Sequence, residues 1–260
     1  MRFTKYHGTG NDFILIDDRD EAFDLQNFKN IALLCNRHIG IGADGLILIR
    51  KRSGYDFEML YYNSDGNPSS MCGNGGRCAI HFASFLGLIN KRAHFFAPDG
   101  AHKGEILSDG RIKLEMQNSS LPQKALGHWF INTGSPHFVE LVQDVHLVDV
   151  RNKAPYIRHH EFFGKGGTNV NFISQTNERI WQIRTFERGV EDETLSCGTG
   201  ACAAALVVAN LNNLLSGSIT LETQCGFLEV NFQRKENSFE NIELIGPVQA
   251  VFEGSYHQTN

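Results

Sequence analysis

Long apolar runs are missing from this chain: no stretch approaches the roughly 18 residues that a membrane-spanning helix needs, and no signal core follows Met1-Arg2-Phe3-Thr4-Lys5. These absences point to a cytoplasmic protein with no membrane partner. Charge of one sign is missing too. Lys and Arg number 24 against 29 Asp and Glu, and the two signs are interleaved, so there is no basic face of the kind that holds nucleic acid. With only six prolines and 41% apolar residues, the composition excludes a low-complexity or disordered chain. A length of 260 residues allows one large domain or two of ordinary size.

Metal and dinucleotide motifs are absent as well. Six cysteines (Cys35, Cys72, Cys78, Cys197, Cys202 and Cys225) without an export signal are expected to be reduced thiols. No pair has the Cys-x-x-Cys spacing, and His159-His160-Glu161 lacks a second spaced His, so no metal is expected. Gly40-Ile41-Gly42-Ala43-Asp44-Gly45 fits the pattern Gly-x-Gly-x-x-Gly, but in the wrong setting. A helix-like stretch (25–36) precedes it and a strand-like one (46–50) follows, the reverse of a dinucleotide-binding strand-turn-helix.

What is present is a repeat. Shifted by about 125 residues, the sequence comes into register with itself at several segments. Cys72-Gly-Asn-Gly-Gly-Arg-Cys78 falls on Cys197-Gly-Thr-Gly-Ala-Cys202, and Thr9-Gly10-Asn11 falls on Thr133-Gly134-Ser135. Gly42-Ala43-Asp44 falls on Gly167-Thr168-Asn169, and the run from Phe57 to Tyr61 falls on that from Gln182 to Phe186. Alternating or β-branched runs predict strands at 13–17, 46–50, 57–62, 170–174, 180–186 and 218–222. Helices are predicted at 72–86 and 197–211, with almost no polar face, so each is expected inside its own half's strands. The class is mixed α/β, of α+β type.

Each repeat sets a Cys just before a Gly-rich turn that opens an apolar helix. The sulfur then lies beside unsatisfied backbone N–H groups at the positive end of the helix dipole. There a thiol's pKa can fall from about 8.5 into a range of roughly 3.5 to 7.5, which makes Cys72 and Cys197 candidate bases near neutral pH. The neighbouring glycines let N–H groups approach a carboxylate. Two such sulfurs on opposite sides of one α-carbon would invert it, one removing a proton and the other returning one. Cys35, Cys78, Cys202 and Cys225, away from helix starts, are expected to pack as small apolar residues.

Several motifs together resemble the diaminopimelate epimerase family, of the pyridoxal-phosphate-independent racemase group. They are His7-Gly8-Thr9-Gly10-Asn11-Asp12-Phe13, Asn63-Ser64-Asp65-Gly66, the Cys72 and Cys197 motifs, Gly134-Ser135-Pro136-His137, Asn169-Val170-Asn171-Phe172 and Glu187-Arg188-Gly189. The resemblance implies two pseudo-symmetric domains, each a mostly antiparallel sheet or barrel around a central helix. Their expected bounds are 1–118, with 247–260 returning to it, and 119–246. It further implies a cytoplasmic homodimer, no cofactor, and interconversion of LL- and meso-diaminopimelate on the route to lysine and peptidoglycan.

Position by position, the resemblance puts the catalytic pair on Cys72 and Cys197, and the α-carboxylate grip on the backbones of Gly73, Asn74, Gly198 and Thr199. It puts further substrate contacts on Asn11, Asn63, Asn169, Glu187 and Arg188, and tuning of the thiols on His137 and Glu187. Phe252 falls where the family has a dimer-contact tyrosine. The chain departs from better-known members at Gly45, where some have Gln, at Ser135, where some have Asn, and by one extra residue between Glu187 and Cys197. Asp44 is a candidate to replace the missing Gln, and Ser135 stays a possible contact. The rival readings are a proline or hydroxyproline racemase, a phenazine-type isomerase, and a non-catalytic ligand-binding relative.

Overall fold

A computed structural model describes residues 1–177 and 180–257. The chain forms two units, Met1–Leu114 with the segment that starts at Pro247, and Glu115–Gly246. In the first unit, strands Arg2–Gly8 and Asn11–Asp17 form a hairpin whose two-residue turn holds Thr9 at φ 50° and Gly10 at φ 88°. Such a turn matches the twist of the strands but needs positive φ at both central residues, a strained choice for a β-branched Thr. Asn11–Asp17 runs parallel to Gly45–Arg50, with helix α1 (Phe28–Cys35) in the crossover. Gly45–Arg50 pairs antiparallel with Phe57–Asn63, which runs parallel to Arg92–Ala97 across helix α2 (Gly73–Phe85). Arg92–Ala97, Gly100–Ile106 and Ile112–Glu115 follow as an antiparallel meander, and Gln249–Ser255 returns to the edge of Arg2–Gly8.

The second unit retraces this path with other side chains. His128–Asn132 and Pro136–Leu141 are antiparallel, and Pro136–Leu141 is parallel to Asn169–Gln175 with helix α3 (Val150–Arg158) between them. Asn169–Gln175 is antiparallel to Ile180–Glu187, which is parallel to Ser216–Thr223 across helix α4 (Gly198–Leu211). A meander through Gly226–Arg234 and Ser238–Gly246 ends the unit, and Gln123–Ala125 takes the edge that Gln249–Ser255 takes in the first. Both units are thus antiparallel sheets interrupted by two parallel junctions, because each helical crossover reverses the chain.

The apolar helices lie inside, as their composition requires. In α4 every residue from Gly200 to Ala209 is buried, packed on Ile131, Val139, Ile173, Leu221, Val230 and Leu244. In α2 the buried face includes Cys78, Ala79, Ile80, Phe82 and Ala83. Both helices start one residue later than expected. Cys72 and Cys197 have extended backbones (φ −100° and −119°) and act as N-caps, their carbonyls already accepting from Gly76 and Ala201 at 2.7 and 2.9 Å. No helix among the described residues is long and apolar enough to cross a membrane.

Cys35, Cys78 and Cys202 are buried. Burial pushes the Cys35 thiol up to about 12 and carries Cys78 above the ordinary thiol range. Cys225 does not pack as expected. It is exposed, because Gln224 and Cys225 form the two-residue turn beyond the last sheet pair, Thr223 with Gly226, where no layer covers them.

Candidate active site

At the start of α2, Cys72 is half-buried and its Sγ donates to Asn11 Oδ1 at 3.6 Å. Asn74 Nδ2 donates to the same oxygen at 3.2 Å. Asn11 Nδ2 donates to Asp44 Oδ2 at 2.7 Å, and since a carboxylate only accepts, that contact fixes the amide with its oxygen toward the sulfur. Asp44 Oδ1 takes Arg37 at 2.7 Å, and Arg37 and Lys5 both hold Asp12. Burial alone would raise the Asp12 carboxyl, but hydrogen bonds from Arg37 and Lys5 outweigh it and bring the pKa down to about 2. Beneath the first turn of α2 lies Arg77, fully buried, reaching Asn74 Oδ1 at 3.0 Å and both Thr9 Oγ1 and the Gly73 carbonyl at 3.3 Å. The strained Thr9 turn and the helix start are thereby tied together.

At the start of α4, Cys197 Sγ accepts the Gly200 N–H at 3.4 Å and lies 3.5 Å from Thr199 Oγ1. Thr199 Oγ1 in turn lies 2.9 Å from His137 Nε2, and the Thr133 hydroxyl donates to the Thr199 carbonyl at 2.8 Å. His137 is fully buried, with Asn171 Nδ2 at 3.2 Å from its Nδ1. Burial lowers its pKa to about 3 and the Arg188 charge acts in the same direction, so the ring is neutral at physiological pH.

Beside this chain, Asn169 donates to Ser135 Oγ and to the Pro136 carbonyl, both at 2.9 Å, and its Oδ1 accepts the Arg188 backbone N–H at 2.9 Å. Arg188 also reaches Ser135 Oγ at 3.3 Å, and lines a cavity of about 390 Å³ with Lys124, Phe130 and Phe163. Glu187 accepts the Thr194 hydroxyl.

Of the positions singled out from sequence, Asn11, Asp44, Cys72 and Asn74 thus meet at α2. His137, Cys197 and Thr199 meet at α4, with Asn169, Ser135 and Arg188 in an adjoining cluster. Asn63 closes its strand opposite Gly45. No side chain fits at position 45: a Cβ there would stand 2.5 Å from the Tyr61 ring and 2.6 Å from the Tyr62 carbonyl. Phe252, half exposed, stacks edge-on against Phe3 at 5.8 Å. Sequence reasoning missed Arg77, Arg37 and Asn171. An arginine in a helix otherwise free of polar faces, and a second asparagine two residues after Asn169 on the same buried face, were the available signals.

A family model described as diaminopimelate epimerase matches residues 3–122 and 129–251. A protein named diaminopimelate epimerase from Flavobacterium psychrophilum is 47% identical over 253 residues, covering 97% of this chain and 99% of that protein. Among solved structures, a PhzF-family phenazine biosynthesis protein from Bacillus anthracis superposes with a TM-score of 0.74 at 13% identity, covering 98% of both chains. A probable proline racemase from Agrobacterium radiobacter, with bound carbonate, superposes with a TM-score of 0.72 at 12% identity, covering 99% of this chain and 93% of that one. These two share the two-domain α/β architecture and speak for the fold alone. The family match and the full-length relative decide the rest: the chain belongs to the diaminopimelate epimerase family.

Proposed function

We propose that this chain interconverts LL- and meso-diaminopimelate by proton exchange at the α-carbon, with Cys72 and Cys197 as the two acid–base groups. The observation that carries the reading is the duplicated placement. In two units of the same topology, one cysteine caps the N-terminus of the central buried helix, its sulfur within hydrogen-bond reach of the Asn11 amide oxygen at Cys72 and of the Gly200 N–H and Thr199 hydroxyl at Cys197. One sulfur, as thiolate, takes the Cα proton; the other, as thiol, delivers a proton to the opposite face. Charge and protons balance over the cycle, one thiolate and one thiol exchanging roles, so neither a redox step nor a cofactor enters.

The carbanion is stabilised as the adjoining carboxylate gains ene-diolate character. Backbone N–H groups of Gly73, Asn74, Gly198 and Thr199 at the two helix starts are suited to hold that carboxylate. Asn11, Asn63, Asn169, Glu187 and Arg188, with Ser135, supply the carboxylate, amide and guanidinium chemistry that a second amino-acid head requires. Asp44 acts through Asn11, both of its oxygens being engaged. The distal contacts favour diaminopimelate over proline, which has no second head. We extend the proposal to a cytoplasmic homodimer formed through Gln249–Ser255, where Val251 and Phe252 are half exposed; here the phenyl ring of Phe252 makes the contact without a hydroxyl.

The test is incubation with LL-diaminopimelate in deuterium oxide under reducing conditions, without added cofactor. Deuterium should enter at the α-carbon as the meso isomer appears. Cys72→Ala and Cys197→Ala should each abolish inversion and leave the circular dichroism spectrum unchanged. Turnover of proline but not diaminopimelate would move the assignment to the rival racemase, and normal epimerisation by either alanine variant would refute the pair.

A further inference from the structure

Behind Cys197 stands one group that neither substrate binding nor proton exchange has used: the side chain of Asn171, fully buried on strand Asn169–Gln175. Its orientation is not free. Nδ2 meets the Phe138 carbonyl at 2.8 Å, an atom that can only accept, and Oδ1 takes the Thr185 hydroxyl at 2.9 Å. Turning the amide over would set two oxygens against each other in a dry interior. The amino group therefore faces His137 Nδ1 at 3.2 Å, and only an unprotonated Nδ1 accepts it. In a neutral ring the hydrogen then sits on Nε2 and is donated to Thr199 Oγ1 at 2.9 Å. With that oxygen accepting, the hydroxyl's own hydrogen is directed at Cys197 Sγ, 3.5 Å away.

We propose that Asn171 is a positioning residue for the reaction: by holding His137 as the Nε2–H tautomer it makes the Thr199 hydroxyl a hydrogen-bond donor to the Cys197 sulfur, stabilising negative charge there. The Gly200 N–H is the second donor to that sulfur. Cys72 meets a group of the opposite kind, the Asn11 amide oxygen. The two sulfurs thus have different immediate partners although the helix starts that carry them are duplicates. The charged neighbours act consistently with this arrangement, since Arg188 disfavours a second positive charge on His137.

The inference rests on the two-thiol reading, yet its first test does not. Long-range nitrogen–proton NMR of the imidazoles in the full-length protein should show His137 with a pyrrole-type Nε2 and a pyridine-type Nδ1; the inverse tautomer or an imidazolium would overturn the proposal. Asn171→Asp, of nearly equal volume, offers Nδ1 an acceptor instead of a donor, so the ring should invert and the Thr199 hydroxyl should turn back toward Nε2. Losing one hydrogen bond to a charged sulfur should lower kcat roughly 10- to 100-fold, with KM changed less than about threefold.

Should Asn171→Asp not fold, Thr199→Val and Thr199→Ser carry the same test. Valine should lose a comparable factor and serine should recover most of it. An inverted tautomer with wild-type kcat, or a valine variant as fast as the serine variant, would refute the role. Absence of epimerisation by the wild type would instead strike the two-thiol reading, and the tautomer would remain measurable.

Discussion

Gly200→Ala sets two physical effects of opposite sign against each other. In an isolated helix, Ala in place of Gly is worth about 1 kcal/mol of stability. At this position the added Cβ would stand 2.6 Å from Asn171 Oδ1, 3.2 Å from Cys197 Cβ and 3.3 Å from its Sγ. Ordinary van der Waals contact begins near 3.4 Å, so the Asn171 oxygen must retreat by about 0.8 Å. The side chain has little room to move, being fully buried, with Oδ1 accepting from Thr185 and Nδ2 held by the Phe138 carbonyl and His137. A retreat of that size disturbs either the 2.9 Å Thr185 contact or the Nδ2 bonds at the other side of the amide. A lost hydrogen bond costs about 1 kcal/mol and overpacking about 1–3 kcal/mol, together more than the helix gains. The variant should therefore be less stable by about 1–3 kcal/mol and should epimerise more slowly, since the displaced amide orients His137. Urea denaturation with a common m value, together with initial rates, reads both effects. A variant about 1 kcal/mol more stable than the wild type with full kcat would show that the site yields freely and that the chain of contacts behind Cys197 is not needed.

Two further outcomes follow from burial and charge. Leu206→Ala, in the middle of α4 with no exposed surface, should cost about 2–5 kcal/mol by urea denaturation, whereas Leu215→Ala, 74% exposed, should stay within about 0.5 kcal/mol. His137, with its folded-state pKa lowered to about 3, stays neutral while the unfolded chain protonates below about 6.5. The unfolded state thus binds the extra proton in that window, and stability should fall as pH drops through it, by up to about 1.4 kcal/mol per unit. NMR titration should find the His137 ring unchanged between about pH 8 and pH 5; a midpoint near 6 would contradict its neutral, buried state.

Much of the architecture was legible in the residue pattern because it depends on local periodicity. The apolar residues at 79, 80, 82 and 83 and at 203–208 demanded burial, and all of them are buried, although Phe85 at the end of α2 is exposed. The alternating and β-branched runs became strands within a residue or two of their expected ends, and the constant spacing between repeated motifs became a duplicated strand order. Cys225 defied the pattern because a hairpin turn two residues long exposes its members whatever their hydropathy.

Tertiary structure decided that Cys72 meets Asn11 and in which direction each hydrogen bond beside the two sulfurs runs. Cys72 and Cys197 sit in near-identical motifs, yet one faces an amide oxygen and the other an N–H and a hydroxyl, through partners as much as 61 residues away in sequence. The motifs supply part of that difference, Thr199 standing where the other has Asn74, but not the directions of the hydrogen bonds, which depend on Asp44 fixing Asn11 and on the Phe138 carbonyl fixing Asn171. Hydrophobic periodicity is a property of neighbours along the chain and can be read from them. The direction of a hydrogen bond is set by whichever donor or acceptor packing brings alongside, and so exists only once the chain has folded.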